Sequence, residues 1–219
     1  MRFALVVIGT LLLIGAPLQT WLMLGGDMTE YLTFDTLPGQ AIYVISKVFA
    51  LYAVELAWLQ CMLGLLRGDL LHKAGMQAKD WRRLHSAAGY WVLAAVLAHV
   101  VLFVVATSMR NRSPAIDLLL PWGKGVYRTW VAFGAAALWL LVIAVVVRLM
   151  GGPSVVRWKN GLHRLALLAI ILVGVHSLTV GTESRSGSML IVYGVMGIGL
   201  ALAIFRRLLR SRGPRLVQA

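Results

Sequence analysis

The sequence predicts an all-α, polytopic membrane protein: one bundle of six transmembrane helices with both termini cytoplasmic. Three observations carry that prediction. Of 219 residues, 60% are hydrophobic and only 13% are charged, and the mean hydropathy of +0.82 is well above that of a water-soluble domain. Six apolar runs of about 20 residues, long enough to cross a hydrocarbon core about 30 Å thick, take up most of the chain. The Lys and Arg residues gather in alternate loops.

The runs are 3–25, 40–66, 84–107, 127–150, 162–180 and 188–205. The first follows Met1-Arg2 as a signal peptide would, but it continues past Pro17 to Leu24 without an Ala-x-Ala-like cleavage site, so an uncleaved helix is expected. The second carries Lys47 and Glu55, and the third and fifth carry histidines. The sixth ends at a basic stretch, 206–219, read as a cytoplasmic tail. The chain is expected to be a single membrane domain, with no second domain of useful size.

Orientation follows from charge. Fifteen of the 21 Lys and Arg residues fall at the N-terminus, in the loops after the second and fourth runs, and in the tail. Five (Arg110, Arg112, Lys124, Arg128 and Arg185) fall on the other side, with the acidic stretch holding Asp27, Glu30 and Asp35. The basic side is cytoplasmic by the positive-inside rule. The net charge of +13 is thereby an orientation signal and an attraction to anionic lipid; no nucleic-acid partner is expected. Cys61 is the single cysteine, so no intrachain disulfide forms. No nucleophile-and-base arrangement is visible, so any catalysis proceeds by passing electrons.

Four of the five histidines lie in the third and fifth runs. His85 and His99 are fourteen residues apart, and His163 and His176 are thirteen apart. At 1.5 Å per residue these spacings are about 21 and 20 Å along the axis. Both helices run in the same direction, so the pairs match in depth. His85 can face His163 near the cytoplasmic side, and His99 can face His176 nearer the outside. Opposed neutral imidazoles are what a haem iron takes as axial ligands, and two levels imply two stacked haems. Fourteen residues return to within about 40° of one helix face, but thirteen miss it by about 140°, so the fifth helix is expected to be irregular near Gly161 or Gly174 or frayed at His163. The alternative is that the histidines join helices by hydrogen bonds or line a wet cavity. Arg82, Arg83 and Arg164 flank the inner pair and are candidates for holding haem propionates, although the positive-inside signal alone also explains them; on the outer side Arg128, with Arg110 or Arg112, is a candidate for controlling what reaches the haem edge.

Paired histidines at these spacings, with "RWKNGLHRLALL" opening the fifth run, resemble the ferric-reductase-like transmembrane domain. That family includes the NADPH oxidases and ferric reductases and is related to the haem subunit of the methionine sulfoxide reductase system. The resemblance covers the second to sixth runs. It implies an oxidoreductase component in a bacterial inner membrane: His85 and His163 ligate an inner haem b, His99 and His176 an outer one, and electrons pass from a cytoplasmic flavin to ferric chelates, oxygen or a periplasmic redox protein. No Gly-rich dinucleotide fingerprint appears in any loop. FAD and NAD(P)H are accordingly expected on a separate flavoprotein, or on a longer chain of which this is the membrane portion. Two other readings remain: a quinone-linked cytochrome b with Glu55 or Lys47 near the quinone, and a non-haem transporter whose histidines serve a metal ion or protons.

Lys47 and Glu55 lie about 12 Å apart along one helix and about 80° apart around it, too far to pair with ease. Each is expected to find a polar partner on another helix, with a haem propionate the next choice for Lys47. The segment from Ile116 to Leu120, broken only by Asp117 and followed by Pro121-Trp122, is expected to lie at the interface and cap the outer haem.

Overall fold

The computed structural model describes residues 15–23, 37–73, 75–149, 161, 165–185 and 187–212. Among these residues all regular structure is helical. Helix α1 covers residues 15–23; α2 is Gln40–Leu65, α3 is Arg67–His72, α4 is Ala78–Asn111, α5 is Val126–Leu149, α6 is Leu165–Val180 and α7 is Gly187–Arg212. Short 3₁₀ turns, Ile116–Leu119 and Glu183–Arg185, follow α4 and α6. Four helices are long and apolar enough to cross a bilayer, over Gln40–Leu65, Ala78–Asn111, Val126–Val147 and Gly187–Leu209, and Leu165–Val180 is a shorter apolar helix.

The side-chain distribution is that of a bundle in lipid. Large apolar residues point outward, among them Trp91, Ile191, Ile198 and Leu202, each more than 60% exposed. Alanines fill the interior, including Ala53, Ala88, Ala95, Ala106, Ala135, Ala137 and Ala169. Small residues let helix backbones approach where lipid provides no hydrophobic drive for association.

Helix ends differ from the expected boundaries for local reasons. Gly39 precedes α2 at φ +77°, and a side chain there would collide with the backbone of Ala106 at 2.6 Å; only glycine satisfies both demands. The second run breaks at Leu66, where the chain turns into α3. Helix α4 starts six residues before the apolar run, because the polar turn Ala78–Arg83 continues it after the extended Gln77. It stops at Arg112 in the left-handed region, φ 51°, two residues before Pro114. The basic stretch after Phe205 remains helical to Arg212, so the tail begins as a continuation of α7.

Packing sets α2 closely beside α4, and α5 beside α6, with lighter contacts from α2 to α6 and α7. Helix α1 closes on α2 and α7 through Ala16, Leu51 and Met189, and the Trp21 indole N–H donates to Val44 O at 2.6 Å. Trp58 reaches α7 in the same way, donating to Met196 O at 2.8 Å. At the end bearing Gly39, the α4–α5 connection folds over the bundle. Leu118 is buried with Ala115 and Val131 against Phe103 and Val180, and Ser108 holds the connection by accepting from Ala115 N at 2.9 Å.

Candidate functional site

Between the α2–α4 pair and the α5–α6 pair runs a cavity with about 220 Å³ of room for the centres of water-sized molecules. A close-packed interior seldom leaves a void larger than one water, which needs only about 10–15 Å³ by this measure. The α2 wall extends from Tyr43 to Cys61, about 27 Å along the helix. The lining is mainly alanine, valine and leucine, with Ser46, Lys47, Gln60, His99, His176, Ser177, Glu183 and Ser184 as polar members. Leu118 and Leu119, from the α4–α5 connection that the sequence expected to cap an outer haem, are among the lining residues.

His99 from α4 and His176 from α6 both line this cavity. His99 Nδ1 lies 3.0 Å from Ser46 O, and His176 Nδ1 lies 2.8 Å from Trp130 O. A carbonyl only accepts, so in each ring Nδ1 carries the proton and Nε2 presents its lone pair. This anchoring through the far nitrogen is how metal-ligating histidines are fixed in tautomer and orientation. Phe103 stacks on His99 at 6.0 Å between centroids. The His176 ring lies on the α5 backbone at Gly134, where a Cβ would come within 3.0 Å of its Cε1 and Nδ1. The absence of a side chain at residue 134 lets the ring lie this close to α5.

The cavity wall also holds an ion pair. Lys47 Nζ donates to Glu183 Oε1 at 2.6 Å, and the Lys47 ammonium stands 4.9 Å from the centre of the Tyr43 ring. Thr182 Oγ1 donates to the other carboxylate oxygen at 2.9 Å. Burial works to raise the Glu183 carboxyl, but the hydrogen bonds from Lys47, its own backbone and Thr182, with the Lys47 charge, outweigh it and hold the pKa below its ordinary value. Beside the pair, Ser177 Oγ lies 2.7 Å from Ser184 Oγ and 2.5 Å from the Tyr193 hydroxyl.

The structure thus brings together two of the expected ligands. His85 does not line the cavity. The cavity stripe on α4, Val92, Val96, His99 and Phe103, would continue to Gly89 and His85, but the Gln60 side chain covers it. Gln60 Nε2 sits against the backbone at Gly89 and 3.2 Å from His85 Nε2, while His85 stacks on Trp81 at 4.9 Å. Gln60 itself lines the cavity, so His85 stands one side chain beyond its end. His163 and Arg164 lie outside the described residues. Arg82 and Arg83 are exposed on the first turns of α4, and Arg128 is bonded to Asp117; none of the three lines the cavity. Helix α6 is regular through Gly174, so the irregularity expected of the fifth helix is absent from Leu165–Val180.

Two residues at the site were not found in the sequence: Glu183, which lies outside the apolar runs, and Gly134, one glycine among 22. Lys47 alone pointed to Glu183, since a cation at membrane depth requires a partner. Glu55, the other acidic or basic residue in α2, is buried and does not line the cavity, and its Oε1 has no hydrogen-bond partner among the described residues.

Among the described residues no group of three or more His, Cys, Asp or Glu is placed to hold a bare metal ion. A macrocycle that supplies four equatorial donors asks the protein for only one or two more. Two anchored imidazoles, an apolar wall rich in alanine and the ring cradle at Gly134 fit such a group. No protein-family model, curated protein or solved structure matches the chain significantly.

Proposed function

We propose that this chain is a haem-binding electron conduit similar to the ferric-reductase-like transmembrane domains, a six-span bundle of a bacterial inner membrane with both termini cytoplasmic. Its cofactors are two b-type haems, one held by His99 and His176 and the other by His85 and His163. Electrons are supplied on the cytoplasmic side by a flavoprotein using NAD(P)H and leave to an outer acceptor. The reading is carried by one observation: His99 and His176 line the same apolar cavity from different helices, each fixed by a carbonyl on Nδ1.

Bound there, haem supplies a reversible one-electron ferric/ferrous couple. The chain's own residues do the rest. Ser46 O and Trp130 O set the two rings and make Nε2 of each the donor. The alanine and valine walls exclude water, which raises the cost of net charge at the site. The Lys47–Glu183 pair ties α2 to the turn after α6 and closes the rim without adding net charge to it. The second level rests on sequence spacing, with support from the reach of the cavity to Gln60, which touches His85.

The test is the reduced-minus-oxidised spectrum and haem content of the purified chain. Two b-type haems per chain are expected, with about one lost in each of His99→Ala and His163→Ala. A folded but colourless chain would return the histidines to the role of polar groups in a transporter-like bundle.

A further inference from the structure

A second cavity lies at the other end of the bundle, and the haem reading makes no use of it. It has about 240 Å³ of room for the centres of water-sized molecules and is lined by Gly64, Arg67, Gly68, Ala203, Arg206 and Arg207, among others. Its depth is set by the helices that form it. The membrane-spanning length of α2 ends at Leu65, and the apolar run of α7 gives way to Arg206 and Arg207 after Phe205, so the pocket stands where hydrocarbon gives way to headgroups. Its floor is apolar, with Ala203 buried, and its rim is cationic.

Two of the three guanidinium groups are held in place before any ligand arrives. Arg67 lies over the Trp81 ring, 4.7 Å from its centroid, and Trp81 is itself tied to α2 by donating to Leu63 O at 3.0 Å. Arg206 is held by Asp69 at 2.8 Å, a carboxylate that also lies 3.8 Å from Lys73. One acid against three arginines and a lysine leaves the rim positive. A guanidinium carries five N–H donors, so the bond to Asp69 leaves Arg206 donors to spare. Fixed guanidinium groups suit bidentate bonding to phosphate, and groups already ordered lose less entropy on binding.

We propose that this pocket binds the phosphate group of an anionic phospholipid, seated between the α2–α3 elbow and α7. The shared chemistry is a phosphate anion; the headgroup depth and the apolar floor favour lipid as its source. The inference is independent of the haem reading, because it is read from bound lipid.

The test is native mass spectrometry of the full chain in detergent micelles doped with phosphatidylglycerol or phosphatidylcholine, with inorganic phosphate as competitor. Phosphatidylglycerol is expected to bind in preference. Its affinity should fall about fivefold in each of Arg207→Gln and Arg67→Gln, hold in Lys79→Gln on the same end but outside the pocket, and resist inorganic phosphate. Arg207 is exposed, so its replacement leaves the packing intact. Equal binding of both lipids, or equal weakening by Lys79→Gln, would overturn the proposal in favour of diffuse attraction. Displacement by inorganic phosphate would overturn the lipid as the source.

Discussion

Replacing Glu183 by Gln leaves the Lys47 ammonium without its counter-charge at the rim of an apolar cavity. Removing one partner of a fully buried pair costs about 3–5 kcal/mol, much of it from stranding the other charge. Here Glu183 is 4% exposed but Lys47 is 22% exposed and reaches some water, so the expected cost is about 2–3 kcal/mol. In a chain of this size that corresponds to a fall in Tm on the order of 4–12 °C. Lys47→Met should cost a similar amount, whereas the double variant, which strands no charge, should recover most of the loss. The pH dependence has a definite sign. The folded pKa of Glu183 is below its ordinary value, so the pair's contribution is complete above the unfolded carboxylate value of about 4.3 and is lost as pH falls through the folded one. The gap between wild type and Glu183→Gln should therefore be flat through neutral pH and close under acid. Thermal unfolding in detergent measures all of this. Single variants whose effects add to within about 0.5 kcal/mol would refute the pairing.

Gly134→Leu should push the His176 ring off Trp130 O, since even a Cβ at this position meets the ring at 3.0 Å. Circular dichroism should stay helical while the low-spin haem signal assigned to this level is lost, with Gly134→Ala intermediate. Trp58→Phe removes the hydrogen bond that ties α2 to Met196 of α7 and should cost about 1 kcal/mol in the same unfolding assay, without loss of haem. Gln60→Ala uncovers the His85 end of the cavity and should alter the spectrum of the second haem while leaving the first unchanged.

The long helices were legible because lipid leaves a chain few choices: about 20 apolar residues with every backbone group satisfied internally. That His99 and His176 line one cavity follows the sequence spacing, which expects the third and fifth runs to be parallel and to carry these histidines at one depth. Features that depend on contacts between distant segments were not legible. Lys47 and Glu183 are 136 residues apart, and nothing in the stretch 182–185 marks it as lying against α2. Gln60 reads as an ordinary polar residue until α4 is placed beside it and its amide is seen covering His85. Boundaries failed where polarity was taken for an end: the turn Ala78–Arg83 and the basic residues after Phe205 both continue their helices.

The most direct test of the conduit is electron transfer across a sealed membrane. The haem-loaded chain would be reconstituted into liposomes with ferricyanide trapped inside, and dithionite, which crosses lipid poorly, added outside. Protein-dependent reduction of the trapped ferricyanide, lost in His99→Ala, is the result expected. Haem-loaded liposomes that leave it oxidised, or a His99→Ala variant that reduces it at the wild-type rate, would contradict the account.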